Sequence, residues 1–214
     1  MLNVRTYSLG PVQTNCYIVS NKEKQCIIFD PGEEASKLLR EIQSLQLKPL
    51  AIFLTHAHFD HIGAVDALRA QFDIPVYIHE KEVSWLADPM KNGSGKYAEL
   101  PNYTVQPPKK EHIISKEQTM EIGPFTFEMK YTPGHSPGSI SYIFEEDGFA
   151  IVGDTLFERS VGRTDLIGGS TEILLKSIHE KLLTLAPDTI IYPGHGGYTT
   201  PEAEKRQNPF LNGF

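Results

Sequence analysis

The segment Thr55-His56-Ala57-His58-Phe59-Asp60-His61 limits this chain more than any other part of it. Three imidazoles and one carboxylate fall within six residues, directly after the apolar run Leu50 to Leu54. Such a run reads as a buried strand, so the cluster sits where a strand leaves a sheet. In extended chain, positions i, i+2 and i+4 project to one side, and His56, His58 and Asp60 are expected to converge on a common point. His61 opens an expected helix, with Val65, Leu68 and Phe72 at helical spacing. Taken singly, Asp60 is a good helix N-cap and a lone histidine is an ordinary hydrogen-bonded residue. Four such groups crowded together point to a metal, because desolvating neighbouring imidazoles is costly unless something binds them.

Three further candidates follow apolar runs in turn-like settings. His135 lies in Thr132-Pro133-Gly134-His135-Ser136-Pro137-Gly138 after the strand-like Phe125 to Tyr131, Asp154 follows Phe149 to Gly153, and His195 follows Thr189 to Gly194. A glycine before each of them allows the sharp turn that aims a side chain out of a strand end. Loops at the ends of rigid strands are where catalytic ligands usually sit. Together, His56, His58, Asp60, His61, His135, Asp154 and His195 suit two transition-metal ions that share one bridging ligand. Imidazole and carboxylate without thiolate favour Zn²⁺, two per chain, and leave iron or manganese open.

With these motifs in place the chain resembles the metallo-β-lactamase-fold hydrolases, and within them the short glyoxalase II-like proteins (hydroxyacylglutathione hydrolase-like). The resemblance runs from Asn15-Cys16-Tyr17 through Asp30-Pro31-Gly32, the His-x-His-x-Asp-His block and the Gly134-His135 turn. It continues through Gly153-Asp154-Thr155-Leu156-Phe157 and Gly162-Arg163-Thr164-Asp165 to Pro193-Gly194-His195-Gly196. It implies a four-layer αββα sandwich. It also implies one metal site from His56, His58 and His135, a second from Asp60, His61 and His195, and Asp154 bridging both. Only 19 residues follow His195. Full-length glyoxalase II carries a helical glutathione-binding domain there, which this chain is expected to lack.

The expected chemistry follows from the ligands. A coordinated water has its pKa lowered to about 7, giving a metal-bound hydroxide at neutral pH without a side-chain nucleophile. No Gly-x-Ser-x-Gly elbow is present. Asp60 and Asp154 are the expected catalytic carboxylates, Asp60 orienting the nucleophile while ligating. A thiolate leaving group needs little protonation, since a free thiol has a pKa of about 8.5, and this favours a thioester over an amide. The expected substrate is S-lactoylglutathione or a related small acyl thioester. An iron-dependent persulfide dioxygenase of the same fold, a lactonase or β-lactamase, and a noncatalytic metal-binding module are the rival readings.

Phe59 and Phe157 flank ligands and are candidates for the substrate wall, against ordinary core. Arg163 is a candidate substrate contact, against an ion pair with Asp165 that pins the loop after Asp154. Tyr198 follows the His195 turn and is a further candidate. His79, His112 and His179 lack matching motifs and are read as non-ligands.

The mixed order of strands and helices predicts an α/β (α+β) protein of two sheets flanked by helices. Strands are expected near 2–8, 15–20, 25–29, 50–55, 75–79, 119–122, 125–131, 139–144, 149–152 and 188–192. Asp147-Gly148 marks an expected tight hairpin. Helices are expected over 33–46, 61–72, 80–87, 171–185 and 201–207. No linker, repeat or charge block interrupts residues 1–214, which read as a single domain. The polar segment from Trp85 to Lys110, rich in glycine, lysine and aromatics, is either a lid or a surface loop. A formal net charge of −7 argues against a nucleic-acid partner. No apolar run is long enough for a signal h-region or a membrane span, so a cytoplasmic enzyme with no membrane partner is expected. Cys16 and Cys26 lie in apolar strands and read as buried structural thiols.

Overall fold

A computed structural model describes residues 2–99 and 101–211. The chain divides into two compact units, one up to residue 115 and one from 116 onward.

The first unit is built on a six-stranded sheet in sequential order. Its elements are β1 (Asn3–Leu9), β2 (Thr14–Ser20), β3 (Gln25–Phe29), α1 (Ala35–Ser44), β4 (Lys48–Phe53), α2 (Phe59–Ile62), α3 (Val65–Phe72) and β5 (Val76–His79). A 3-10 helix (Glu80–Trp85), α4 (Pro89–Asn92) and β6 (Ile113–Ile114) complete it. β1, β2 and β3 are antiparallel neighbours, and from β3 to β6 the strands run parallel. Ile18, Ile28, Ile52 and Val76 lie in one cross-strand row. That row joins Leu38 and Ile42 of α1 and Val65 and Leu68 of α3 in one buried cluster. The other face carries Phe29, Phe53 and Tyr77 in register, their rings stacked at 5.7 and 4.5 Å. The period-2 alternation of the strands thus separates an aliphatic face from an aromatic one.

The second unit holds β7 (Gln118–Ile122), β8 (Phe125–Tyr131), β9 (Ile140–Phe144), β10 (Phe149–Gly153), the small hairpin β11 (Leu156–Phe157) and β12 (Ser160–Val161), α5 (Thr171–Ser177), β13 (Ile190–Pro193) and α6 (Pro201–Gln207). Its main sheet has the order β13-β10-β9-β8-β7. Ala150, Val152 and Ile191 pack with Leu174, Ile178 and Leu182 from the α5 region. β10 and β13 are parallel, while β9 is antiparallel to both β10 and β8. β8, β10 and β13 therefore point the same way. Thr200 caps α6 by accepting from Ala203 N, with Pro201 at the first helical position.

The expected fold class, α/β with sheets and helices, is the one observed. Several boundaries differ for local reasons. The helix expected over 61–72 is broken into α2 and α3 at Gly63-Ala64, where Ala64 N donates to Pro31 O at 2.9 Å. The 80–87 helix is the 3-10 turn 80–85, and the 171–185 helix passes into a π-helical stretch at Ile178–Leu182. Asp147-Gly148 belongs to a longer turn, since Phe144 pairs with Phe149 across residues 145–148 and Gly148 alone takes the left-handed conformation. α4, β6 and the β11–β12 hairpin are too short to show a period.

The segment from Trp85 to Lys110, in which Leu100 lies outside the described residues, is largely exposed but anchored at a few buried positions. Trp85, Asn92, Ser94 and Val105 are buried. Asn92 Nδ2 donates to Trp85 O at 3.2 Å and Tyr103 O at 2.9 Å, and Val105 N donates to Leu86 O at 2.8 Å. A buried asparagine that ties two stretches of backbone makes this segment part of the unit rather than a loose loop. Cys16 and Cys26 are buried free thiols. Burial pushes the Cys26 thiol up to about 12 and raises that of Cys16, so neither is a nucleophile at neutral pH. Among the described residues no helix is long and apolar enough to cross a membrane.

Candidate metal centre

In the first unit the ligand candidates follow the C-terminal end of β4, beside that of the adjacent, parallel β3. Binding residues gather at that edge of parallel sheets because the connections leaving the strands are free to vary there. Residues 54–58 leave β4 in non-repetitive backbone, and Phe59 starts α2. The extended-chain argument therefore serves for His56 and His58 and fails for Asp60, which sits in the first turn of α2. His58 itself occupies the N-cap position. The four candidates still come together. The His56 ring lies 4.8 Å from that of His58, edge to face, and 4.1 Å from that of His61. His61 Nε2 is 3.4 Å from Asp60 Oδ2.

Three of these four candidates are held from behind. Thr55 Oγ1 contacts His56 Nδ1 at 3.0 Å and donates to Asp30 Oδ2 at 2.6 Å. Asp30 Oδ1 accepts from Thr55 N at 2.7 Å, and His61 Nδ1 lies 3.0 Å from Asp30 Oδ2. Nδ1 engaged with a partner assigns Nε2 to the metal, the usual arrangement of ligating histidines. Asp30, His56 and His61 also bring ligand atoms within 4.8 Å of one another. Because both Asp30 oxygens already accept hydrogen bonds from Thr55, with His61 Nδ1 at one of them, we read Asp30 as a support and not a ligand. Thr14 Oγ1 donates to Asp60 Oδ2 at 2.6 Å. A side chain at Gly32 is sterically forbidden, since its Cβ would fall 1.7 Å from Asp60 O.

In the second unit the three candidates follow β8, β10 and β13, at the ends where those parallel-running strands finish. Asp154 Oδ2 is 3.6 Å from His135 Nε2 and 3.5 Å from His195 Nε2. Such distances exceed a good N–H···O hydrogen bond. They match the roughly 3.4 Å that separates two ligands each about 2.0–2.1 Å from one tetrahedral ion. The His61–Asp60 separation in the first unit has the same value. The donor set of each unit thus fits a metal. His135 Nδ1 lies 2.9 Å from Arg163 O, which again leaves Nε2 as the ligating atom. Gly162 approaches so closely that its Cβ would lie 1.9 Å from Asp154 O. Of the three glycines expected to make the turns, Gly134 and Gly153 have positive φ; beside His195 it is Gly196 that does.

The remaining candidates separate. Phe59 lies 6.1 Å from the Tyr97 ring and 5.9 Å from that of Tyr103, and it lines a small pocket with Val12, Glu33 and Asp60. Phe157 is 6.2 Å from the His195 ring. The Arg163 side chain forms a two-pronged pair with Asp165, both bonds 2.7 Å, as the loop-pinning alternative requires. Tyr198 is exposed and leans on Tyr192. His79 Nδ1 caps the 3-10 helix by accepting from Lys81 N, and His112 packs on Tyr77. His79, His112 and His179 join none of the ligand clusters among the described residues.

The sequence carried no assigned role for Asp30, Thr14 or Glu82. Asp30 and Gly32 lie in a quoted motif, Asp30-Pro31-Gly32, so a signal existed. Glu82 had none, because one acidic residue in an amphipathic stretch looks like solvated surface; it is instead fully buried.

The model of the Metallo-beta-lactamase superfamily matches residues 9–195. The chain is 51% identical over 210 residues to "Probable metallo-hydrolase YqgX" of Bacillus subtilis, covering 98% of both chains. It is 36% identical to "Hydroxyacylglutathione hydrolase GloC" of Haemophilus influenzae, covering 99% of both. The crystal structure of the BLEG-1 B3 metallo-beta-lactamase aligns with a TM-score of 0.95 and 49% identity, over 99% of this chain and 100% of that one.

Proposed function

This chain belongs to the metallo-beta-lactamase superfamily of metal-dependent hydrolases, and on that premise we propose that it is a thioesterase acting on small acyl thioesters such as S-lactoylglutathione. The observation that carries the metal chemistry is the placement of Asp154 Oδ2 3.5–3.6 Å from two imidazole nitrogens. We further propose that His56, His58, Asp60, His61, His135, Asp154 and His195 together hold two ions, with zinc the first choice from the donor set. The likeness to GloC supports the thioester.

When bound, the ions supply Lewis acidity and a water acidic enough to lose its proton near neutral pH. The chain supplies position. Asp60, fixed by the hydrogen bond from Thr14 Oγ1, orients the attacking water toward the carbonyl. Asp154 Oδ2 faces His135 Nε2 and His195 Nε2 at ligand-to-ligand spacing, while Arg163 O fixes the tautomer of His135. Phe59 and Phe157 are the proposed apolar walls that exclude bulk water from the reacting carbonyl. The departing thiolate is stable near neutral pH, so no buried acid is required beside it.

The likeness to BLEG-1 favours a second reading, β-lactam hydrolysis. Zinc-loaded protein assayed in parallel on S-lactoylglutathione and a chromogenic cephalosporin separates the two. The thioester is expected to be preferred in kcat/KM by at least about a hundredfold, or some 2.7 kcal/mol in transition-state stabilisation. A preference for the β-lactam would replace the thioesterase reading with the lactamase one.

A further inference from the structure

We propose that Glu82 is a positioning residue for the metal site, its buried carboxylate fixing the backbone between His56 and His58 and so setting the direction of both imidazoles. The proposal rests on the metal-binding reading above and adds a residue to it. Residues 55–58 lie between the end of β4 and the start of α2. Two carboxylates grip this stretch at alternate amides. Asp30 Oδ1 accepts from Thr55 N at 2.7 Å, and Glu82 Oε2 accepts from Ala57 N at 2.6 Å. The two gripped amides flank His56, and Ala57 is the one residue between His56 and His58, so the segment is strung between the two acids.

Glu82 comes from the 3-10 helix that follows β5, and the same helix touches the ligand segment a second time through Trp85, whose ring lies 5.8 Å from that of His58. His79 Nδ1 caps the start of that helix. A fully buried glutamate is expensive in an ordinary core, and truncating its partner group is more expensive still. Beside a site for dications its negative charge is an asset, and a carboxylate-to-amide hydrogen bond is roughly twice as strong as a neutral one.

The test compares Glu82→Gln and Glu82→Ala with the wild type in zinc affinity by chelator competition and in the visible spectrum of the cobalt-substituted protein. Glutamine keeps an acceptor for Ala57 N and loses the charge; alanine loses both. Zinc affinity is expected to fall about threefold to tenfold in Glu82→Gln and by about 10–100-fold in Glu82→Ala, as for residues that orient metal ligands. The cobalt bands should shift in both. If both variants lose only thermal stability and keep the affinity and the cobalt spectrum of the wild type, Glu82 is a packing residue and the proposal falls, while the metal-site reading stands. Failure of the wild type to bind zinc or cobalt would instead overturn the metal-site reading. Should the variants not fold, the amide proton of Ala57 in the wild type decides: a strong downfield NMR shift is expected, and an ordinary shift overturns the proposal.

Discussion

The two units support their candidate ligands by partly different means. In the first, four candidates crowd into residues 56–61 and are braced mainly by side chains, Thr55 and Asp30 behind His56 and His61 and Thr14 behind Asp60, with Gly32 lying against Asp60 O. In the second, the three candidates come from three strand ends, and backbone holds two of them. Arg163 O meets the His135 ring, and Gly162 lies against Asp154 O. A site braced by side chains breaks when an acid is replaced. The glycine approaches to Asp60 O and Asp154 O break when a small residue grows, while a backbone contact such as that to His135 tolerates loss of a neighbouring charge.

That contrast orders the mutational outcomes. Of three substitutions that probe it, Gly162→Ala should be the most damaging, because a Cβ placed 1.9 Å from Asp154 O forces the backbone of a proposed ligand to move. A loss of about 1–3 kcal/mol in stability and of most bound metal is expected, read by thermal denaturation and elemental analysis. Asp30→Asn should follow. It keeps the volume but offers an amide where Asp30 Oδ2 now meets Thr55 Oγ1 and His61 Nδ1, and metal affinity should drop about 10–100-fold by chelator competition. Arg163→Ala should change metal affinity less than about twofold, because the carbonyl that meets His135 survives and the lost ion pair with Asp165 is solvent-exposed. A large loss of metal in Arg163→Ala would contradict the backbone account of the second unit.

The smallest expected effect lies away from the metal. Partial burial raises the Glu117 carboxyl, and hydrogen bonds from Lys181 Nζ and Tyr131 N outweigh it, leaving the pKa below the ordinary value. A depressed folded-state pKa contributes stability that is complete above the unfolded pKa and is lost as pH falls through the folded one. Glu117→Gln should therefore lower the melting temperature slightly at pH 7. The gap from wild type should close once the pH is below both values.

How much was legible follows from the same contrast. The clustered candidates announce themselves because three histidines and an aspartate within six residues have no ordinary explanation. His135, Asp154 and His195 are readable only because each follows an apolar strand and a glycine, a weak signal repeated three times. Strands came through well, since apolar runs bounded by turn residues leave little choice of length. Helix ends and short elements did not. The break at Gly63-Ala64 is set by a hydrogen bond to Pro31 O, a contact remote in sequence. Glu82 was hidden for a related reason: an acid is buried only when the fold brings it a donor, here Ala57 N from 25 positions away. The extended geometry expected for Asp60 was wrong because the helix starts two residues earlier than expected, at Phe59 instead of His61.

The central claim, that these seven side chains hold two metal ions, is tested most directly by elemental analysis of the purified wild type and of Asp154→Ala after dialysis against zinc and then metal-free buffer. The account predicts close to two zinc ions per chain in the wild type and a marked fall in the variant, since Asp154 Oδ2 stands beside both His135 and His195. A wild type that retains no metal, or an Asp154→Ala protein that retains two ions, would contradict it.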